Sequence, residues 1–299
     1  MTVTDTDTVS LGISAVVTAD ARIPQTLETL ARLTACRPAP DEIVVHVDGN
    51  QVACAAALQR AFPRARVIVS ERRVGPGGGR NALLSAAAHP IIASFDDDSF
   101  PIDSDYFSRV ALTMRRFPAA AVVSASVYHQ GETVADDLRP ACWVADFVGC
   151  GCVYRAAAFA SGPGYVPLVV AYGMEESDLA LRLHARGQRV LFAPWLRVFH
   201  DTDRARHADP AVTSASIGNL ALLTFLRYPI ALWPVGLLQI LNRVLWLIRN
   251  GRRRGVGHGL VSIVPKLWTY RSYRQPVAKR HLRSYLALRR QPVPAETAP

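Results

Sequence analysis

Within the first hundred residues, short runs of apolar and β-branched residues alternate with segments of helical periodicity, and the strand ends carry oxygen-rich or glycine-rich clusters. Gly12–Ala19 (GISAVVTA), Glu42–Val47 (EIVVHV), Arg66–Ser70 (RVIVS) and Ile91–Phe95 (IIASF) read as strands, their near-continuous apolar character matching a sheet covered on both faces. Between them, Pro24 opens a helix running to Cys36, with Leu27, Leu30, Ala31 and Thr34 at helical spacing, followed by helices over Val52–Phe62 and Asn81–Ala88. This alternation, with right-handed crossovers, predicts an α/β fold: a Rossmann-like, mostly parallel sheet with helices on both faces. Ligands of such sheets bind beyond the carboxyl ends of the strands. There the sequence places Thr18-Ala-Asp20, Asp48-Gly49-Asn50, the run from Gly75 through Arg80 to Asn81, and Asp96-Asp97-Asp98.

The glycine-rich run GPGGGRN matches neither established phosphate-loop pattern. GxxxxGK[ST] is absent, and GxGxxG fails at Arg80. A flexible turn is one reading; the other is a helix start at Arg80-Asn81, where an arginine and free N–H groups suit a diphosphate. The three aspartates are more informative, because adjacent carboxylates repel unless a cation or hydrogen bonds compensate. In an extended chain Asp96 and Asp98 point to the same side and share a ligand, and hard carboxylate oxygens select Mg2+ or Mn2+. The alternative is that they cap a helix beginning near Asp103.

Asp48 in VDGN, then GPGGGRN, FDDD and GMEESDLALRLHARGQRVLFAPWLRVFH stand in an order that resembles the family 2 glycosyltransferases of the GT-A fold, over roughly residues 12–200. The resemblance implies an inverting hexosyl- or deoxyhexosyltransferase that uses a nucleoside-diphosphate sugar and Mn2+ or Mg2+. It places Thr18, Asp48, Arg80, Asn81, Asp96 and Asp97 on the donor, with Arg80 and the metal stabilising the leaving diphosphate. It puts Asp98, Asp96 and His200 on the metal. GMEESDL resembles the family's Glu-Asp-x-Asp-Leu motif and makes Glu176, ahead of Glu175, the base that deprotonates the acceptor hydroxyl. Trp143, Asp146 and Asp178 fall on the acceptor side; spacing alone also pairs Asp178 with Arg182 along a helix. One departure is Thr-Ala-Asp-Ala-Arg after the first strand, where many members carry a Pro-Thr-Tyr-Asn type of sequence.

The net charge of +10 suggests nucleic acid until it is divided. Residues 1–200 hold 18 basic and 20 acidic side chains, leaving 16 and 4 of the totals of 34 and 24 for residues 201–299. From Pro210 to Ala295 there is no acid at all. We therefore divide the chain into a catalytic unit, 1–210, and a basic, apolar helical extension, 211–299. In the extension Arg227 and Arg243 enclose a charge-free stretch of 15 residues, whereas a spanning helix needs about 20. The pattern of residues 217–249 fits helices lying in a membrane interface, or spanning if Arg243 is buried or snorkels, or an ordinary helical subdomain. The later cluster from Lys266 to Arg283 would attract anionic phospholipid at ~1 kcal/mol per cation.

Five scattered cysteines and a polar N-terminus, MTVTDTDTVS, read as a cytosolic protein with free thiols, peripheral at the inner face of the cell membrane, with a glycan or lipid-linked acceptor and no nucleic acid. Cys150-Gly151-Cys152 has the wrong spacing for a zinc CxxC pair. A nucleotidyltransferase would want its glycine signature directly after the first strand, where TADAR stands, and a basic nucleic-acid-binding protein leaves the clustered acids unexplained.

Overall fold

The computed structural model describes residues 11–134, 139–159, 162, 164–202 and 209–295. The polar N-terminal decapeptide lies outside the described residues. The four expected strands form as β1 (Ile13–Ala19), β2 (Glu42–Val47), β3 (Arg66–Val69) and β4 (Ile91–Asp96), connected by α1 (Ile23–Ala35), α2 (Val52–Ala61) and α3 (Gly75–Ala86). They are parallel, with β1 between β2 and β4 and with β3 outside β2.

Beyond β4 the sheet becomes mixed. The chain continues through β5 (Ser99–Pro101), α4 (Tyr106–Arg116), β6 (Ala120–Tyr128), β7 (Cys142–Val144), β8 (Cys152–Arg155), α5 (Glu175–Ala185) and β9 (Arg189–His200). β8 lies antiparallel between β4 and β6, and β9 pairs parallel with β6 and antiparallel with β5 and β7. The register of β6 on β9 shifts between Ala125 and Ser126, opposite the β9 segment that contains Pro194. A proline has no N–H for the ladder, so an irregularity there is expected.

The period of two in the strands divides the core. In β1, Ala15 and Val17 join the cluster that holds Leu30, Leu33, Phe107 and Val110, while Val16 points the other way, to Leu83 and Leu179. Both faces are therefore covered by helices, as the unbroken apolar strands require.

The C-terminal segment comprises α6 (Pro210–Arg227), α7 (Trp233–Arg249), α8 (Val256–Val261), α9 (Ile263–Thr269), α10 (Lys279–Arg290) and β10 (Val293–Pro294). The Asp209 carboxylate accepts from Ala211 N–H at 2.7 Å and caps α6, with Pro210 at its first turn. Leu282 and Tyr285 of α10 share the second core cluster with α5, and β10 adds itself to β7 at the sheet edge.

The glycine-rich run is a correction to the sequence reading. It is neither a turn nor the loop before a helix starting at Asn81, because α3 already begins at Gly75. Asp48 supplies the missing cap: its carboxylate accepts from Val74 N–H at 2.8 Å and from Gly75 N–H at 3.0 Å. Gly75 has φ +70°, and a Cβ there would fall on the carbonyl of Leu168. Gly75→Ala should therefore lower stability by at least ~2 kcal/mol in urea unfolding, from left-handed strain plus the clash.

Candidate active site

A cavity of about 1210 Å3 opens beyond the carboxyl ends of the parallel strands, lined by Arg80, Asp96, Glu175, Glu176 and His200, among others. Arg80 lies in the second turn of α3 and is 2% exposed. Its Nη1 donates to Glu175 Oε1 at 2.8 Å and its Nη2 to Asp96 Oδ1 at 2.6 Å, where Thr18 Oγ1 also donates at 3.0 Å. Burial opposes its charge, but Asp96 and Glu175 outweigh that and hold the guanidinium firmly protonated.

The two glutamates differ in what they can reach. The Glu175 side chain is 5% exposed and anchors Arg80, whereas that of Glu176 is 21% exposed and its Oε1 lies 3.7 Å from Arg80 Nη1. Burial pushes both carboxyls above the ordinary glutamate range, and the charge of Glu176 pushes Glu175 further. Gly149 makes room above them: a Cβ there would sit 2.6 Å from Arg80 Nη2 and 2.5 Å from Glu176 Oε1.

The aspartate run does not stay extended. The chain turns at Asp97-Asp98 between β4 and β5, so Asp96 faces Arg80 while its two successors face α1. Arg22 Nε donates to Asp97 Oδ2 at 2.9 Å, its Nη2 pairs with Asp97 Oδ1, and its Nη1 donates to Asp98 Oδ2 at 2.7 Å. Asp97, assigned to the donor, is buried against Arg22, with burial raising its pKa to about 7 against the pull of that guanidinium. Asp98, assigned to the metal with Asp96 on a shared side, is buried between Arg22 and His200.

A divalent cation nevertheless fits the residues present. Asp96, Cys150 and His200 bring one donor atom each to within 4.8 Å of one another. Asp98 Oδ1, a buried oxygen, lies 3.1 Å from His200 Nε2. Burial works against protonating His200, but the Asp98 hydrogen bond and the Asp96 and Asp98 charges prevail and raise its pKa, so the cluster attracts positive charge.

The remaining predicted positions divide. Asp146 lines the cavity, where it accepts from Tyr285 Oη and pairs with Arg289 Nε at 3.1 Å. Asn81 clamps the cavity wall from behind: Nδ2 donates to Tyr165 O at 2.9 Å and Oδ1 accepts Tyr165 N–H at 2.7 Å. Asp48 is occupied as the α3 cap and also accepts from Ser70 Oγ at 3.1 Å. Trp143, placed on the acceptor side by the resemblance, is 8% exposed in the core, edge-on to Phe117 with the Arg189 guanidinium 3.7 Å from its ring centre, and it does not line this cavity. Asp178, placed on the acceptor side by the resemblance, is wholly buried between Arg182, as the helical spacing predicted, and Arg227 of α6.

Sequence reasoning missed the contacts of Arg22, Arg227 and Tyr285, and set Cys150 aside on the spacing of its Cys-Gly-Cys run. The signal for Arg22 was the charge imbalance of three adjacent aspartates, which demanded a cation from somewhere. The others come from distant segments and leave no local trace.

Residues 14–159 match the family described as Glycosyl transferase family 2. That stretch, which carries the parallel strands, the α3 glycines and the aspartate turn, is similar to the family 2 glycosyltransferases, and the fold is GT-A. Among solved structures it is similar to GalNAc-T7 with UDP, GalNAc and Mn2+ (14% identity, 75% of this chain and 49% of that one, TM-score 0.59). It is also similar to the mannosyltransferase PcManGT from Pyrobaculum calidifontis with GDP-Man and Mn2+ (13%, 93% and 87%, TM-score 0.55). A third likeness is to S. aureus TarS 1-349 with UDP-GlcNAc (16%, 78% and 72%, TM-score 0.56). The chain spans about half the length of the GalNAc-T7 chain. No curated protein matches its sequence.

Proposed function

We propose that the protein transfers a sugar from a nucleoside-diphosphate sugar to a hydroxyl acceptor, inverting the anomeric centre, with Glu176 as general base. One observation carries this reading: at the carboxyl ends of the parallel strands, the partly exposed Glu176 shares the cavity with Asp96 and His200, and Arg80 links the two sides. Glu176 takes the acceptor proton as the hydroxyl oxygen bonds the anomeric carbon; the bond from that carbon to the diphosphate breaks, and its electron pair leaves with the diphosphate oxygen. A divalent ion held by Asp96 and His200 would neutralise charge on that leaving group. Arg80, already paired with Asp96 and Glu175, fixes these carboxylates relative to Glu176. The UDP, GDP-Man and UDP-GlcNAc held by the structural neighbours support a nucleotide-sugar donor.

Glu176 must be ionised to accept a proton. Since burial raises its pKa, kcat should fall as pH drops through a value above the ordinary 4.5, and a pH–rate profile measures where. Product release from UDP- and GDP-sugars with Mn2+, with the anomeric configuration read by NMR, tests the reaction itself. Retention of configuration would contradict inversion.

The reading extends to a membrane surface. Ile230–Arg249 is, among the described residues, the one helix long and apolar enough by composition to cross a membrane, and 11% of its apolar window is buried. Leu237, Leu238, Leu241, Leu245 and Ile248 of α7 are exposed together, with Arg243 and Arg252 over Trp246. This is the pattern of an interfacial helix, whose arginines meet anionic headgroups. The same bundle touches the cavity wall: Asn219 Nδ2 of α6 donates to the carbonyls of Val170 and Tyr172 at 3.0 Å each. A lipid-linked acceptor presented at a cytosolic membrane face would thus enter beside the helices that hold the surface. The full chain should float with anionic liposomes and the double variant Leu241→Glu, Trp246→Glu should not; equal flotation of both would contradict the interfacial role.

A further inference from the structure

Cys150 lines the cavity from the turn preceding β8, beside Gly149, and is 4% exposed. Its neighbour in the motif, Cys152, packs into the core, where its thiol donates to the Gly149 carbonyl at 3.4 Å. The Cys150 thiol lies 3.5 Å from Nδ1 of His200. At the other edge of the same ring, Nε2 lies 3.1 Å from Asp98 Oδ1. A carboxylate at one imidazole nitrogen fixes the proton there and leaves the other nitrogen's lone pair for a metal, the usual way a ligating histidine is oriented. A ring nitrogen of His200, the Cys150 sulfur and an Asp96 carboxylate oxygen converge within 4.8 Å of one another.

We infer that Asp96, Cys150 and Nδ1 of His200 form a mixed oxygen, sulfur and nitrogen site for a thiophilic divalent cation such as Zn2+, with Asp98 as a positioning residue. The inference deepens the metal component of the proposed function but stands on these donors alone. Carboxylates by themselves select Mg2+ or Mn2+; adding a thiolate and an imidazole shifts preference toward Zn2+ and Co2+. Three protein donors with a position left open is the arrangement of zinc sites that also accept an exogenous ligand. On binding, the Cys150 S–H bond gives way to a sulfur–metal bond and the proton passes to solvent.

The test is a Co2+ titration of the full-length, reduced protein without nucleotide, read by absorbance. A thiolate-to-Co2+ charge-transfer band is expected in the near ultraviolet, saturating at one equivalent and displaced by Zn2+. Cys150→Ser should abolish it, and Cys142→Ser, a partly exposed thiol on β7, should keep it. Asp96→Asn and His200→Gln should each weaken Co2+ at least tenfold, which keeps the test decisive if Cys150→Ser fails to fold. Asp98→Asn should retain the band with affinity reduced ~10–100-fold. No band in the wild type, a band unchanged in Cys150→Ser, or Co2+ affinity unchanged in Asp96→Asn or His200→Gln would overturn the site. Binding of a nucleoside diphosphate with Mg2+ is titrated separately, so that the thiolate site and the transferase reading can each fail without the other.

Discussion

Replacing Glu176 by glutamine is expected to lower kcat by ~10²–10⁴-fold, the usual contribution of a positioned general base. Glutamine preserves the size of the side chain but cannot accept the acceptor's proton. The loss should therefore fall on kcat, with nucleoside diphosphate affinity kept within about threefold, a split expected when only a transition-state interaction is removed. Glu175→Gln provides the contrast. That side chain is buried on Arg80 Nη1, so weakening the ion pair should lower stability and disturb Asp96, which shares the same guanidinium. A Glu176→Gln enzyme that keeps its turnover would move the base elsewhere.

The largest effect on stability is expected from Arg227→Ala. Arg227 is 2% exposed and Asp178 wholly buried, and the guanidinium also donates to the carbonyls of Tyr273 at 2.8 Å and Gln275 at 3.4 Å. Removing one partner of such a pair typically costs ~3–5 kcal/mol, because the other charge stays buried. Arg182 still pairs with Asp178 in the variant, which places the expectation at the lower end, about 3 kcal/mol by urea unfolding. The consequence for the site follows from position: Asp178 lies on α5, the helix that begins with Glu175 and Glu176, so α6 holds α5 through this pair. A loss below about 1 kcal/mol, the range of exposed pairs, would mean the pair is not a structural tie.

The β1 to β4 alternation was legible because burial on both faces writes itself into each strand as a continuous apolar run. The strand ends were legible for the same reason, since topology alone gathers them on one rim. The glycine segment was misread because glycine is a poor helix former, about 1 kcal/mol below alanine. Its helix is imposed by the Asp48 cap, Pro76 in the first turn and the close approach of Leu168, all of them tertiary or positional effects. The aspartate run was misread because an extended chain was assumed, whereas Arg22, 75 residues away, draws Asp97 to α1 through a turn. Trp143 and Asp178, an aromatic and an acid placed at the acceptor by resemblance, are held by Arg189 and Arg227. Such pairings between distant segments have no periodicity to betray them, and Cys150 belongs with them.

The charge division also acquires a physical setting. In the acidic half, Asp96, Asp97, Asp98, Glu175 and Glu176 gather around Arg22, Arg80 and His200, and the basic C-terminal segment exposes leucines beside arginines on α7.

The central claim, a nucleotide-sugar site built on Asp96 and its neighbours, is tested most directly by calorimetric titration of UDP and GDP into the full chain, with Mn2+ and with a chelator. One nucleoside diphosphate should bind with Mn2+, at least tenfold more weakly once the metal is chelated, and at least tenfold more weakly in Asp96→Asn. Failure of both nucleotides to bind, or binding indifferent to metal and to Asp96, would contradict it.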